Sequence, residues 1–374
     1  MRALPRKNPL SPWESTHVEY LGEPPPAPLE VYEDDSKSIL SENTSPDVGF
    51  RFSVNAYRGC YHGCAYCYAR LTHEYLGFGA GVDFERKIVV KKHAPELLRK
   101  ALTRRSWKRE TIVFSGNTDC YQPLEASYRL TRGCLEVCAE LENPLHIITK
   151  APLIERDLDV LGRLAEKGLV GVTITVPFWD VEAARLIEPG VATPQRRLLA
   201  VERLAKAGIP VSVNVAPVIP GLSDRDMGKI IEGAARAGAQ SADMIMLRLP
   251  GNVKAVFEDR IRAGMPLAAE RILARTREVR GGKLNDARFG SRMRGEGEYA
   301  EAVQRLFYAT ATRLGLRSGP DRDRTRPCLQ PPPTAPLAPP VESTPALKAE
   351  PARVAKPARR AHASGQLDLF RSRQ

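Results

Sequence analysis

Between residues 50 and 250 the chain carries six short runs of β-branched and other apolar residues separated by stretches of helical periodicity, and no other feature limits its fold as strongly. The runs fall at 50–57, 111–115, 145–149, 169–176, 210–216 and 243–249. Helices are expected at 68–76, 95–105, 124–141, 156–167, 193–207 and 223–237. Their ends carry appropriate residues, with Pro95 and Pro194 in first turns, Thr193 and Ser223 as N-caps, and Gly168 past a last turn. Strands that alternate one for one with helices form a parallel sheet, because each crossover returns the chain to the same end. The expected class is α/β, with helices on the outer face of the sheet.

The flanks differ in composition. Residues 1–49 are rich in Pro, Ser and acidic residues without periodicity, and read as an irregular N-terminal arm before the 50–250 unit. Residues 251–318 read as a helical extension closing the open side or bottom of the sheet. Residues 319–374 are Pro-rich and basic and read as a disordered tail. No run approaches the roughly 18 apolar residues of a membrane span, and the first seven residues lack the apolar core of a signal peptide. Seven cysteines, an odd number, suit a reducing compartment, so the expectation is a cytoplasmic protein without membrane contact. The formal net charge of +12 suits a polyanionic partner such as nucleic acid. Residues 86–109, including Lys91, Lys92, Arg104 and Arg105, are expected to track phosphates beside the mouth of the sheet.

The first strand delivers Cys60, Cys64 and Cys67 on one loop, in C-x3-C-x2-C spacing. Soft thiolates at that density hold a metal. Four thiolates saturate an iron–sulfur cubane, so three leave one iron open to a substrate or cofactor. A Cys3His zinc site using His62 or His73 fits the same donors, and would make the chain a non-catalytic zinc-binding nucleic-acid adaptor. Ser115-Gly116-Asn117-Thr118-Asp119-Cys120 follows the second strand, Lys150 ends the third, and Thr173, Thr175 and Asn214 are polar residues in otherwise apolar strands. In parallel α/β barrels the chemistry gathers at the C-terminal ends of strands.

Cys60-x3-Cys64-x-Tyr66-Cys67 resembles the signature of radical S-adenosylmethionine (radical SAM) enzymes. The resemblance implies an open (β/α)6 partial barrel in which Cys60, Cys64 and Cys67 hold a [4Fe–4S] cluster and the fourth iron binds S-adenosylmethionine (SAM). An electron donor such as flavodoxin or ferredoxin then drives cleavage of SAM to methionine and a 5′-deoxyadenosyl radical, which abstracts hydrogen from substrate. By the same resemblance Tyr66 lies beside the adenine, and Ser115, Gly116, Asn117 and Asp119 line the SAM pocket. Lys150 pairs with the SAM carboxylate, and Thr173, Thr175 and Asn214 meet the ribose or methionyl group.

Within that superfamily the chain resembles spore photoproduct lyase and its relatives, through Tyr66-Cys67-Tyr68, Thr118-Asp119, Thr149-Lys150 and Ala205-Lys206-Ala207-Gly208-Ile209-Pro210. Tyr66 and Tyr68 match tyrosines that relay hydrogen during repair of a thymine lesion. The relay cysteine has no match: its place falls on Gly116, and the nearest thiol is Cys120. The implied activity is repair or modification of nucleic acid, with Tyr66, Tyr68 and Cys120 as catalytic candidates; a peptide or small-molecule substrate is the alternative. Cys134 and Cys138 read as buried apolar residues, and Cys328 in the tail as incidental. Gln366-Leu367-Asp368-Leu369-Phe370 resembles the peptides by which bacterial polymerases and repair proteins dock on the DNA polymerase sliding clamp. In that mode Leu369 and Phe370 fill an apolar pocket, Gln366 anchors by a hydrogen bond, and Leu367 lies along the groove.

Overall fold

The computed structural model describes residues 28–319. In chain order its strands are β1 (Glu30–Glu33), β2 (Leu40–Glu42), β3 (Phe52–Val54), β4 (Tyr57–Arg58), β5 (Lys87–Val90), β6 (Ile112–Phe114), β7 (Leu145–Thr149), β8 (Val170–Thr175), β9 (Val211–Val218) and β10 (Ser241–Met246). Strands β3, β6, β7, β8, β9 and β10 lie side by side in that order, every neighbouring pair parallel. This is the open six-stranded partial barrel, with β2 added antiparallel beside β3. Alternate residues of each strand face opposite sides. On β7, Leu145, Ile147 and Thr149 are buried while His146 and Ile148 are half-buried. His146 Nε2 lies 2.8 Å from Thr173 Oγ1, which lies 2.7 Å from Ser212 Oγ, so a polar chain links three adjacent strands.

Between successive barrel strands run the helices Ala94–Leu102, Leu130–Glu140, Leu158–Glu166, Pro194–Lys206 and Met227–Arg236. Thr193 caps the fourth, its Oγ1 accepting the Arg196 N–H at 3.3 Å. Ser223 does not cap the fifth. Its hydroxyl accepts the Ile219 N–H at 2.9 Å, and a 3-10 turn, Asp224–Asp226, precedes the helix. The helix expected over 124–141 breaks at Arg129, which is left-handed at φ 53°. The cause is Glu125: its carboxylate accepts the N–H groups of Thr131 and Arg132 at 2.9 and 3.1 Å and so starts a second helix. The helix Val181–Ile187, unsuspected from the sequence, is capped by Asp180 through Glu182 N and Ala183 N.

The arm expected to be irregular carries β1 and β2 in its described part. β1 pairs parallel with β5 and β4 antiparallel with β5, a second sheet that leads directly into the cysteine loop. β1 is exposed at all four residues, so it leaves no hydrophobic alternation to read. After β10 come the helices Val253–Gly264, Pro266–Glu278 and Gly297–Arg313; Val303, Phe307 and Ala311 of the last enter the main core. The Asp47 carboxylate accepts the Gly290 N–H at 2.8 Å and pairs with Arg292 at 2.6 Å, while Arg280 holds Ser291 O and Leu247 O. Segment 280–292 thereby ties the β2–β3 connection to the end of β10.

The basic run at 86–109 does not form one surface at the mouth. Lys91 is buried, and Lys87, Lys92 and Arg99 pair with Asp83, Glu33 and Glu140. Arg104 and Arg105 lie on the chain entering the N-terminal end of β6, the opposite end from the cysteine loop. Among the described residues no helix is long and apolar enough to cross a membrane. Cys328 and the clamp-like peptide with Gln366, Leu367, Leu369 and Phe370 lie outside the described residues.

Candidate active site at the cysteine loop

The loop from Gly59 to Tyr68 is fixed from several sides. Gly59 (φ 76°) and Gly63 (φ 64°) take left-handed turns that other residues rarely adopt. Cys60 N donates to Phe84 O at 2.8 Å, Ala65 N to Ile187 O at 2.9 Å, and Gly190 N to His62 O at 3.0 Å. A Cβ on Gly190 would lie 2.5 Å from Tyr61 O, so that approach requires glycine. Gln122 clasps the loop twice, from Nε2 to Gly59 O and from Tyr61 N to its Oε1. Beneath lies Arg70, fully buried, donating to the carbonyls of Cys64, Ala80 and Gly81 and pairing with Glu85 at 2.6 Å. Arg260 approaches the same carboxylate at 3.7 Å.

All three loop thiols are free. Cys60 packs with Ala69 and Phe84, Cys64 with the group around Phe178 and Ala184, and Cys67 touches both groups. Burial pushes all three thiols up, Cys64 to about 12, so binding iron means displacing protons from thiols that are otherwise neutral. The donor set fits a [4Fe–4S] cluster: three thiols on one pinned loop, with the other described cysteines, Cys120, Cys134 and Cys138, in a different core cluster. It does not fit the zinc alternative. A single zinc draws its donors to about 2–2.3 Å from one point, which would require His62 or His73 to turn toward the thiols. His62 turns instead toward Asp119, with Nδ1 3.5 Å from Oδ2, and His73 packs against the rings of Phe78 and Phe84.

The turn after β6 is drawn inward rather than laid open. Asp119 accepts Thr149 Oγ1–H at 2.6 Å, Lys150 N–H at 2.8 Å and Tyr121 N–H at 2.9 Å. Burial alone would raise its pKa, but His62 and these donors outweigh it and hold the carboxyl well below its usual range. Asp119 thus joins the ends of β6 and β7 to the cysteine loop. Ser115 is left-handed (φ 76°) and its Oγ accepts Cys120 N–H at 2.8 Å. Gly116 approaches β3 so closely that a Cβ would lie 2.8 Å from Ser53 Cβ. The position matching the relay cysteine therefore has no room for a side chain. Asn117 accepts nothing from the turn itself: its N–H donates to Asn55 Oδ1 at 2.8 Å and its amide to Thr72 Oγ1 at 3.1 Å. Cys120 corrects the sequence expectation. It is buried in the main core, its carbonyl held by Thr131 Oγ1, and does not stand at the mouth.

Tyr66 is anchored by residues the sequence did not reveal. Its hydroxyl donates to Glu188, whose other oxygen receives the Arg197 guanidinium, all three buried. Burial and the adjacent carboxylate push the Tyr66 hydroxyl well above its ordinary value, so it remains the donor. Arg197 also donates to Ala192 O and Thr175 O. Lys150 Nζ sits 5.8 Å over the Tyr66 ring and has no ion-pair partner among the described residues. Thr175 and Asn214 are register partners on β8 and β9, and Asn214 Oδ1 is buried with no hydrogen-bond partner. Thr173, by contrast, is occupied by His146 and Ser212. An unpaired ammonium, an orphaned amide oxygen and a buried aromatic face beside Cys67 fit an amino-acid carboxylate, a ribose hydroxyl and an adenine, the parts of SAM. Tyr68 is half-exposed, donates to Gly116 O at 2.7 Å and carries the Arg248 guanidinium 5.3 Å over its ring.

Residues 54–234 match the Radical SAM superfamily. An uncharacterized protein of Mycobacterium tuberculosis (strain ATCC 25618 / H37Rv) is 40% identical over 210 residues, which are 56% of this chain and 62% of that protein. The chain thus spans about three fifths of such relatives' length. A protein of Pseudomonas phage M6 named radical SAM Nα-GlyT isomerase is 26% identical over 218 residues, 56% of this chain and 42% of that one. Among solved structures, spore photoproduct lyase complexed with dinucleoside spore photoproduct superposes with a TM-score of 0.56 at 18% identity, covering 78% of this chain and 81% of the other. At that identity the likeness is one of fold.

Proposed function

Because this chain belongs to the radical SAM superfamily, whose cofactors are a [4Fe–4S] cluster and SAM, we propose that it reductively cleaves SAM in order to repair or modify a nucleic acid. The observation that carries the chemistry is the pinned loop of three free thiols beside Tyr66 and an unpaired Lys150. Cys60, Cys64 and Cys67 hold the cluster, which when bound supplies the electron for SAM cleavage. Lys150 takes the SAM carboxylate, Asn214 accepts a hydrogen bond from the ribose, and Tyr66, held flat by Glu188, lies along the adenine. Ser115, Gly116 and Asn117 form the wall of that pocket, while Asp119 sets its shape from behind.

Two observations support the nucleic-acid reading over the peptide or small-molecule one. Tyr68 and Arg248 present an aromatic face and a cation at the mouth, a pair suited to a base and its phosphate. The fold is shared with a lyase solved with dinucleoside spore photoproduct. Lesion repair by a relay cysteine at position 116 is not part of the proposal, since Gly116 has no space for one. Gln366, Leu367, Leu369 and Phe370 add a proposed tether to the sliding clamp. The test is an anaerobic assay of reduced protein with SAM and single-stranded oligonucleotides. The reading expects 5′-deoxyadenosine to rise when the oligonucleotide is added and the oligonucleotide to change mass; stimulation by peptides alone would reverse it.

A further inference from the structure

Resting on the nucleic-acid reading, we propose that a basic cleft lined by Lys254, Arg277 and Lys283, whose wall at Leu249 adjoins Arg248 in the chain, holds the phosphates of a single-stranded substrate. The cleft measures about 530 Å³, and Leu249 and Gly251, directly after Arg248 in the chain, are among its lining residues. It abuts the cysteine loop's own helix: a Cβ on Gly251 would lie 2.8 Å from Leu71 Cδ2, and Leu71 belongs to Arg70–Glu74, which follows Cys67.

The charges of the cleft are what set it apart. Several neighbouring cations on the same segments are matched, Arg262 with Glu270 at 3.1 Å, Arg275 with Glu278 at 2.7 Å, Arg288 with Asp286 at 3.0 Å and Arg292 with Asp47 at 2.6 Å, though Arg271 is not. Lys254, Arg277 and Lys283 have no such partner among the described residues, and Arg248 has only the Met293 sulfur at 4.0 Å and the Tyr68 ring. The one carboxylate in the cleft, Glu258, is shared with Arg262 at 3.4 Å. Three unmatched cations in the cleft, with Arg248 and the Tyr68 ring next along the chain from its Leu249 wall, pair positive charge with a stacking platform, the arrangement that binds single strands without reading sequence. Cys60, Cys64 and Tyr66 are buried while Tyr68 is exposed, so a base stacked in a duplex does not reach the loop and the strand arrives single or with its base extruded.

The experiment measures binding of a fluorescent oligothymidylate to the full-length, anaerobically reconstituted protein by anisotropy across a salt series. The probes are the triple variant Lys254→Gln, Arg277→Gln, Lys283→Gln, the single variant Arg248→Gln, and a control of equal charge loss at the far end, Arg104→Gln, Arg105→Gln, Lys108→Gln. Inorganic pyrophosphate and thymidine monophosphate are titrated as competitors, and thermal melting checks each fold. The cleft triple should bind at least about 10-fold more weakly at low salt. Its salt slope should flatten by about 2, at roughly 0.7 per phosphate contact on a single strand. Arg248→Gln should flatten it by less than 1, and the control should stay within about 2-fold of the parent. Equal losses in the cleft and control triples overturn the channel and leave the nucleic-acid reading standing. Binding of pyrophosphate or the mononucleotide as tightly as the oligonucleotide overturns it in favour of a small-anion site. A parent protein that binds neither overturns the channel and the nucleic-acid reading together.

Discussion

Replacing Glu188 by Gln removes a charge where water cannot replace it. Glu188 and Arg197 are each 1% exposed, and one carboxylate serves both the Arg197 guanidinium and the Tyr66 hydroxyl. In the variant Arg197 keeps Ala192 O at 2.8 Å and Thr175 O at 3.2 Å but loses its counter-charge. Removing one partner of a buried pair costs about 3–5 kcal/mol. At about 2 °C per kcal/mol, appropriate to a domain of this size, the metal-free protein should melt roughly 6–10 °C lower. Tyr66 sits between Cys64 and Cys67, so the loop's side-chain tether weakens from a charge-assisted to a neutral hydrogen bond and the loop should retain less iron. A second variant separates the two effects: Glu188→Leu with Arg197→Met replaces the ion pair by apolar side chains and should recover most of the stability without restoring iron. Circular-dichroism melting and iron per chain after anaerobic reconstitution are the readouts. Melting within about 1 °C of the parent, or full iron in both variants, would refute the reasoning.

Other outcomes follow from single positions. Burial lowers the His73 pKa to about 4, against about 6.5 in the unfolded chain. The unfolded state therefore takes its proton first, so this contribution to stability is complete above about pH 6.5 and is lost as pH falls toward 4. Urea titrations should show that slope and its loss in His73→Phe; an unaltered profile in the variant rejects the assignment. Gly116→Ala should cost about 1–3 kcal/mol by crowding Ser53, and Ser53→Gly should relieve it; an alanine variant as stable as the parent contradicts the close approach. A labelled peptide of residues 364–374 should bind purified sliding clamp and lose binding when Leu369 and Phe370 become Ala. Absence of binding by the intact peptide at high micromolar clamp removes the tether.

The barrel was legible because its signals are local. Leu145, Ile147 and Thr149 alternate as a strand must, Thr193-Pro194 punctuates a helix, and the cysteine spacing needs eight consecutive residues. What escaped are features made by contacts distant in the chain. Glu188 lies 122 residues from Tyr66, and neither carries a mark of the other. Glu125 carries no distinguishing mark in the sequence, yet it is fully buried, caps the helix Leu130–Glu140 and pairs with Arg156 at 2.7 Å. Cys120 reads as a residue at a strand end, but the inward bonds of Asp119 and the hold of Thr131 on its carbonyl put the thiol in the core. Charge density singled out residues 86–109, whereas the cations proposed to hold the strand are scattered from Arg248 to Lys283. Net charge counts residues and not their partners.

The most direct test of the central claim compares the parent with the variant in which Cys60, Cys64 and Cys67 are all Ala, after anaerobic iron–sulfur reconstitution. Iron, zinc and 5′-deoxyadenosine formed from SAM and a strong reductant are measured together. The account requires a brown parent with about four irons per chain that yields 5′-deoxyadenosine, and a triple variant with neither. A triple variant that holds the parent's iron and still yields 5′-deoxyadenosine, or a colourless parent carrying one zinc, would contradict it.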